Sequence, residues 1–245
     1  MHKNIEVIAL VYKSVDYLRF IEDQLRLAKA DGWQVGVRII ANDPTDEVRE
    51  ALEDCTIPYS IYKDKEPQDF YLNRVYRCWN YAGASSRFDS ICFVNSDMMF
   101  SYGWLDALLK HHDGTNIPCS RLVESGKLRS GTYGIEQNFG THPNNLDAIA
   151  FESFTERTKE DKTQDGGLFM PCIFETKRFI DSGGYPEGNL FSNDGKLYVG
   201  FPNDRPVFMS GDQYFFANLA MKLHMKHITV FDSIVYHIQE GEMDE

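Results

Sequence analysis

No apolar run in the chain approaches the ~18 residues that a membrane-spanning helix requires. The amino-terminal stretch lacks a signal-peptide pattern too, because Glu6 and Lys13 interrupt its apolar residues. Both absences lead to the expectation of a cytoplasmic protein with no transmembrane segment. Cysteine is scarce: Cys55, Cys78, Cys92, Cys119 and Cys172 are odd in number, widely spaced and without a C-x-x-C pair. That argues against a disulfide framework, and the apolar settings of Cys92, Cys119 and Cys172 suit reduced core thiols. Positive charge is in deficit, with 25 Lys and Arg against 37 Asp and Glu and a net charge of −12. A nucleic-acid partner needs clustered cations, so none is expected. Any phosphate-bearing ligand would need a bound metal or a few placed Arg and Lys residues. G-x-G-x-x-G after the first strand, G-x-x-x-x-G-K-[ST], H-E-x-x-H and G-x-S-x-G are all missing. Their absence removes the main support for dinucleotide oxidoreductase, P-loop, zincin and α/β-hydrolase readings.

What is present is a strand–helix alternation. Residues 6–12, 35–41 and 58–63 read as strands, and 91–94 is a short apolar run bounded by polar residues, as a buried strand is. Between them lie helical spacings: Leu18, Ile21, Leu25 and Ala28, then a short helix through Leu52, then Leu72, Val75, Tyr76 and Trp79. Such alternation implies parallel strands with right-handed crossovers. Further on come a helix carrying Trp104, Leu105, Leu108 and Leu109 and a strand over 117–123. The pattern weakens over 124–167, which reads as an insertion or mobile flap with a helix near 145–159. An apolar run over 168–174, a helix over 175–181, an aromatic, turn-rich stretch over 189–209, and a helix over 211–223 follow. Strands over 228–231 and 235–237 precede a frayed acidic tail, residues 240–245.

Parallel strands bring their carboxyl ends to one edge, where open α/β sheets bind ligands. Asp43, Asp64 and Asp97 follow the second, third and fourth strands, so one cleft can hold all three. Turn chemistry alone also places Asp at such positions, and Asp97 alternatively caps the helix beginning near Tyr102.

The order of these segments resembles that of the GT-A glycosyltransferases, specifically the inverting group called family 2. The first strand ends in Val11-Tyr12-Lys13-Ser14, and the second in Ala41-Asn42-Asp43-Pro44-Thr45-Asp46. Arg77-Cys78-Trp79-Asn80 occupies the place of a helix motif. Asn95-Ser96-Asp97, beginning fifteen residues after Asn80, resembles Asp-x-Asp with an amide at its first position. Gly183-Gly184-Tyr185-Pro186-Glu187 resembles a Gly-Gly-Phe-Asp-Glu segment. Ser210-Gly211-Asp212-Gln213 resembles a Glu-Asp motif with Gly for Glu, and Val235-Tyr236-His237 the closing segment. The match spans residues 6–237 apart from 124–167, and its weight lies in the order and spacing of the motifs rather than in any one of them.

The resemblance implies an α/β protein with a GT-A type, Rossmann-like α/β/α sandwich and a mostly parallel central sheet. It implies one domain over 1–245, with a nucleotide-sugar half at 1–97 and an acceptor half at 98–245. The implied activity moves a sugar from a nucleotide diphosphate donor, UDP or dTDP type, to a hydroxyl of a glycan or other acceptor. Asp97 and His237 are the implied ligands of a divalent metal, Mn²⁺ or Mg²⁺, and Asp212 the general base. Tyr12, Asp43, Asp64, Asn80, Asn95 and Asp97 are implied on the donor side, Tyr185 and Glu187 on the acceptor side. A nucleotidyltransferase shares this layout, but the 12–16 turn has no glycine. A non-catalytic, carbohydrate-binding relic of the fold is favoured only by the altered positions, Asn95 and Gly211.

Overall fold

The computed structural model describes residues 3–65, 71–190, 196–198, 208–239 and 241–244. Its elements in order are β1 (Asn4–Val11), α1 (Val15–Arg26), β2 (Gln34–Asn42), α2 (Asp46–Glu53), β3 (Tyr59–Tyr62), α3 (Tyr71–Ser85), β4 (Ser90–Asn95), β5 (Met98–Phe100), α4 (Trp104–Leu109), β6 (Asn116–Glu124), β7 (Ile135–Glu136), α5 (Ala148–Thr158), β8 (Thr163–Asp165), β9 (Cys172–Glu175), α6 (Thr176–Asp181), β10 (Asn189–Leu190), β11 (Leu197–Tyr198), α7 (Gly211–Leu223) and β12 (Lys226–His237).

The main sheet runs β3-β2-β1-β4-β9-β6-β12-β5, with β7 beside β6 and β8 beside β12. The pairings β1–β2, β2–β3, β1–β4 and β6–β12 are parallel. β9 is antiparallel to both β4 and β6, and β5 to β12. Strands β1 to β4, β6 and β12 therefore point the same way, and their carboxyl ends share one edge.

Period-two alternation makes the sheet a middle layer. Ile5, Val7, Ala9 and Val11 of β1 pack with Leu18, Ile21 and Leu25 of α1 in one core. Ile8 and Leu10 point the other way, into a core with Tyr76 and Trp79 of α3 and Phe179, Phe215 and Phe216. These chains are fully or almost fully buried, and burying each Ile or Leu stabilises the fold by roughly 1.5–3 kcal/mol. Helix α1 starts where Ser14 Oγ accepts the Tyr17 N–H, satisfying one of the orphan donors of the first turn.

Three expectations are corrected. Residues 124–167 are a packed lobe rather than a flap: Phe139 and Phe151 form a third core with Tyr17 and Tyr236. The last strand is continuous over Lys226–His237, and a register shift between Val230 and Ile234 explains its reading as two pieces. The acidic tail is not frayed through 241–244, which form a 3-10 turn against the sheet edge. All five cysteines are free thiols, four of them buried.

Candidate active site at the carboxyl edge of the sheet

Asp97 and His237 lie 140 positions apart in the chain and meet through strand pairing. β5 runs antiparallel to the end of β12 with Met98 opposite His237, and the Ile238 N–H donates to the Asp97 carbonyl at 3.0 Å. Asp97 Oδ2 then sits 3.1 Å from His237 Nε2. Asp97 does not cap the next helix: the N-cap of α4 is Gly103, with no side-chain cap. The other face of the ring is also engaged. Parallel pairing of β6 and β12 sets Glu124 beside His237, and Glu124 Oε1 is 3.1 Å from Nδ1. Burial alone would lower the His237 pKa, but the flanking Asp97 and Glu124 carboxylates outweigh it and raise it to about 10. Burial likewise pushes Glu124 up, and the His237 and Ser130 hydrogen bonds more than offset it.

Two adjacent ligands of an octahedral divalent ion, each about 2.1 Å from it, stand about 3.0 Å apart. The 3.1 Å between Asp97 Oδ2 and His237 Nε2 is an ion-pair distance while the ring is protonated, and it equals one such edge when a cation takes the place of the Nε2 proton. A carboxylate plus an imidazole favours Mn²⁺ over Mg²⁺, which prefers oxygen donors alone. Among the described residues no three His, Cys, Asp or Glu side chains converge on one metal position. A cation held here would complete its shell from ligand and water.

Beside this pair the turn after β1 points three backbone N–H groups at one carboxylate. Tyr12, Lys13 and Ser14 donate to Glu242 at 3.0, 2.5 and 2.9 Å, and Ser96 Oγ donates at 2.8 Å. Burial raises the Glu242 pKa, opposed by the Ser14, Ser96, Lys13 and Tyr12 hydrogen bonds. Gly241 lies directly against Asp97: a Cβ there would stand 2.8 Å from Asp97 Oδ2. Glu124 and Glu242 were both missed in sequence. Glu242 was hidden in a generic acidic tail. The alternation of β6 and its parallel pairing with β12 were the only signals for Glu124.

The second and third strand ends also meet. Asp43 adopts a left-handed backbone (φ 49°) and accepts the Asp64 N–H at 3.2 Å. Asp64 is paired with Arg77 Nε at 2.5 Å and accepts from the Tyr62 hydroxyl at 3.0 Å. The Arg74 guanidinium lies 5.1 Å from the Tyr12 ring centroid, and its hydrogen bond leads in lowering the Tyr12 pKa. Arg74 and Arg77 are thus cations close to these strand ends, Arg77 held on Asp64 and Arg74 on the Tyr12 ring.

Other expected residues have different surroundings. Asn80 faces the chain interior: its amide nitrogen donates to the Tyr185 carbonyl and its oxygen accepts the Tyr185 N–H, both at 2.8 Å. This clamp uses both ends of the amide to hold the Tyr185 backbone. Tyr185 is 2% exposed and stacks on Tyr76 with ring centroids 5.6 Å apart. It is a core residue and not an acceptor platform, because its ring completes the aromatic cluster under α6 and α7. Glu187 is exposed on the surface beyond it. Asn95 closes β4, opposite Leu10. Asp212 occupies the first turn of α7, whose N-cap is Ser210; it accepts from the Ser210 hydroxyl and the Gln213 N–H. Gly211 is sterically required, since a Cβ there would stand 2.5 Å from the Tyr76 ring and 2.8 Å from the Gly188 carbonyl. Of the 189–209 stretch, residues 191–195 and 199–207 lie outside the described residues.

No family model matches the chain, and no curated protein matches it. Solved structures do match over nearly its whole length. The mannosyltransferase PcManGT from Pyrobaculum calidifontis, in complex with GDP-Man and Mn²⁺, is 12% identical with a TM-score of 0.58, over 97% of this chain and 57% of its own. GalNAc-T7 with UDP, GalNAc and Mn²⁺ is 10% identical with a TM-score of 0.56, over 96% of this chain and 44% of its own. S. aureus TarS (1–349) is 14% identical with a TM-score of 0.52, over 97% of this chain and 60% of its own. The likeness shows that the chain has a GT-A-type glycosyltransferase fold. The chain spans 44–60% of the length of these matched chains. Among the described residues no helix is long and apolar enough to cross a membrane.

Proposed function

We propose that the protein is a metal-dependent, inverting glycosyltransferase of the family 2 kind, using a nucleotide diphosphate sugar and a hydroxyl acceptor. The observation that carries this reading is the 3.1 Å meeting of Asp97 and His237 at the carboxyl edge of a GT-A-type sheet. Two of the structures that share the fold were solved with a nucleotide or nucleotide sugar and Mn²⁺.

In this reading Asp97 and His237 hold a divalent cation, which supplies Lewis-acid neutralisation of the departing diphosphate. Tyr12 packs its ring on the nucleobase, steadied by Arg74, and Asp43 accepts from an imide N–H of a uridine- or thymidine-type base. Asp64 fixes the Asp43 turn and orients Arg77. Asn95, an amide where a second carboxylate would be, bonds ribose or phosphate without adding charge. Asp212, in the first turn of α7, removes the acceptor proton. A base opposite the leaving group inverts the anomeric carbon by direct displacement. Residues 241–244 lie across this approach, with Glu242 on the Tyr12–Ser14 amides and Gly241 against Asp97. Donor entry therefore requires that segment to move aside.

Donor hydrolysis and transfer measured across a panel of nucleotide sugars test the assignment. Asp97→Ala and Asp212→Asn should each lose activity, the latter by about 10²–10⁴-fold, the contribution typical of a general base. Unchanged rates in both variants would overturn it.

A further inference from the structure

The inserted lobe has a place in the site through Glu124. We propose that Glu124 is the positioning residue that aims His237 at the metal, and that the loop following β6 exists in part to hold Glu124. This rests on the metal role proposed for Asp97 and His237.

The argument begins with register. In the parallel pairing of β6 with β12, Glu124 is the partner of His237, so the two side chains leave neighbouring strand ends together. Glu124 Oε1 faces Nδ1 at 3.1 Å, on the ring edge opposite Asp97. An imidazole that gives its Nδ1–H to a carboxylate presents Nε2 as the atom facing Asp97. A carboxylate behind a ligating histidine fixes its tautomer and ring orientation.

Glu124 is itself held. It is 5% exposed, and a buried carboxylate is costly unless hydrogen-bonded. Its second oxygen, Oε2, accepts from Ser130 Oγ in the loop that follows. The Ser130 backbone N–H donates to Glu136 of β7 at 3.0 Å, and β7 pairs with the end of β6 at Ile135 and Glu136. Gly134 closes the cradle: a Cβ there would collide with Ser130 Oγ and reach 3.3 Å from Glu124 Oε2. The chain Ser130, Glu124, His237, Asp97 therefore runs from the inserted lobe into the site.

The test is Mn²⁺ affinity of the full chain with saturating nucleoside diphosphate, read by electron paramagnetic resonance, with thermal melting as the folding control. Glu124→Ala should weaken Mn²⁺ binding by about 10–100-fold, the typical effect of losing such a partner. Glu124→Gln keeps an acceptor for Nδ1–H and should recover most of that loss. Ser130→Ala leaves Glu124 in place and should weaken binding by less than Glu124→Ala. Glu124→Ala binding Mn²⁺ within twofold of the wild type, while His237→Ala does not bind, overturns the positioning role. Should Glu124→Ala fail to fold, Gln and Ser130→Ala carry the test: wild-type affinity in Ser130→Ala together with a Gln variant as weak as His237→Ala overturns it. A wild type whose Mn²⁺ affinity is unaffected by His237→Ala sinks the underlying metal assignment, and that failure shows in a different arm.

Discussion

At the scale of single residues, the site is a set of carboxylates whose surroundings decide their roles. Glu242 is the clearest case. Its carboxylate satisfies three backbone N–H groups and the Ser96 hydroxyl while burial works against its charge. Removing one partner of a buried hydrogen-bonded set costs about 1–3 kcal/mol. Glu242→Ala should therefore lower unfolding free energy by about that much in denaturant titrations. The same variant should bind a nucleoside diphosphate several-fold more tightly in calorimetry, because no carboxylate has to leave the Tyr12–Ser14 turn. Weaker binding would mean that Glu242 forms part of the donor site instead of obstructing it. Asp97 and His237 were legible in the sequence because each ends an apolar run at motif spacing. Glu124 and Glu242 were not, since His237 and the partners of Glu242 lie more than one hundred positions away and nothing local marks a carboxylate that will be buried. Tyr185 shows the reverse. An aromatic after Gly-Gly looks like a ligand contact, but here its ring is buried in the core and its backbone is held by Asn80.

At the scale of elements, α7 explains one departure from the family pattern. Its first residue, Gly211, faces the Tyr76 ring and the Gly188 carbonyl so closely that no side chain fits. A glutamate at this position is excluded by packing. Gly211→Ala should cost about 1–3 kcal/mol, as overpacking does, and displace Asp212; thermal melting and transfer rate should fall together. A variant with wild-type stability would show that Tyr76 yields easily. The strand and helix alternation of the first half was legible chiefly because β1 and β4 are buried on both faces and read as continuous apolar runs. β5 was illegible: three residues pairing only with the end of β12 leave no periodic signal. The 124–167 lobe was misjudged because its core is assembled from separated segments, Phe139 and Phe151 packing with Tyr17, Met99, Val123 and the Ile234–Ile238 end of the chain.

At the scale of the whole molecule, stability should depend on pH through His227, at the edge of the sheet opposite the candidate site. Burial, partly offset by the Leu168 carbonyl, lowers its pKa to about 4; it packs on Phe169 and Phe216. The folded state thus disfavours protonation relative to the unfolded chain, whose histidines titrate near 6.5. The stabilising contribution is complete above about pH 6.5 and is lost as the pH falls toward 4, at up to about 1.4 kcal/mol per pH unit. Replacing His227 by Gln should flatten that slope in pH-dependent melting; an unchanged slope would assign it to other groups.

The GT-A-type fold sets the cleft, and the metal-dependent transfer proposed for it rests on Asp97 and His237 acting together with the donor. With Asn95 in place of a second carboxylate, the proposed reading gives the cation two side chains among the described residues, so donor and metal should bind as a unit. Isothermal titration of Mn²⁺ into the protein, with and without a nucleoside diphosphate, tests this most directly. The expected result is weak metal binding alone, tight binding with the nucleotide, and loss of the tight phase in Asp97→Ala. A tight Mn²⁺ site in the nucleotide-free protein, or nucleotide binding indifferent to metal and to Asp97, would contradict it.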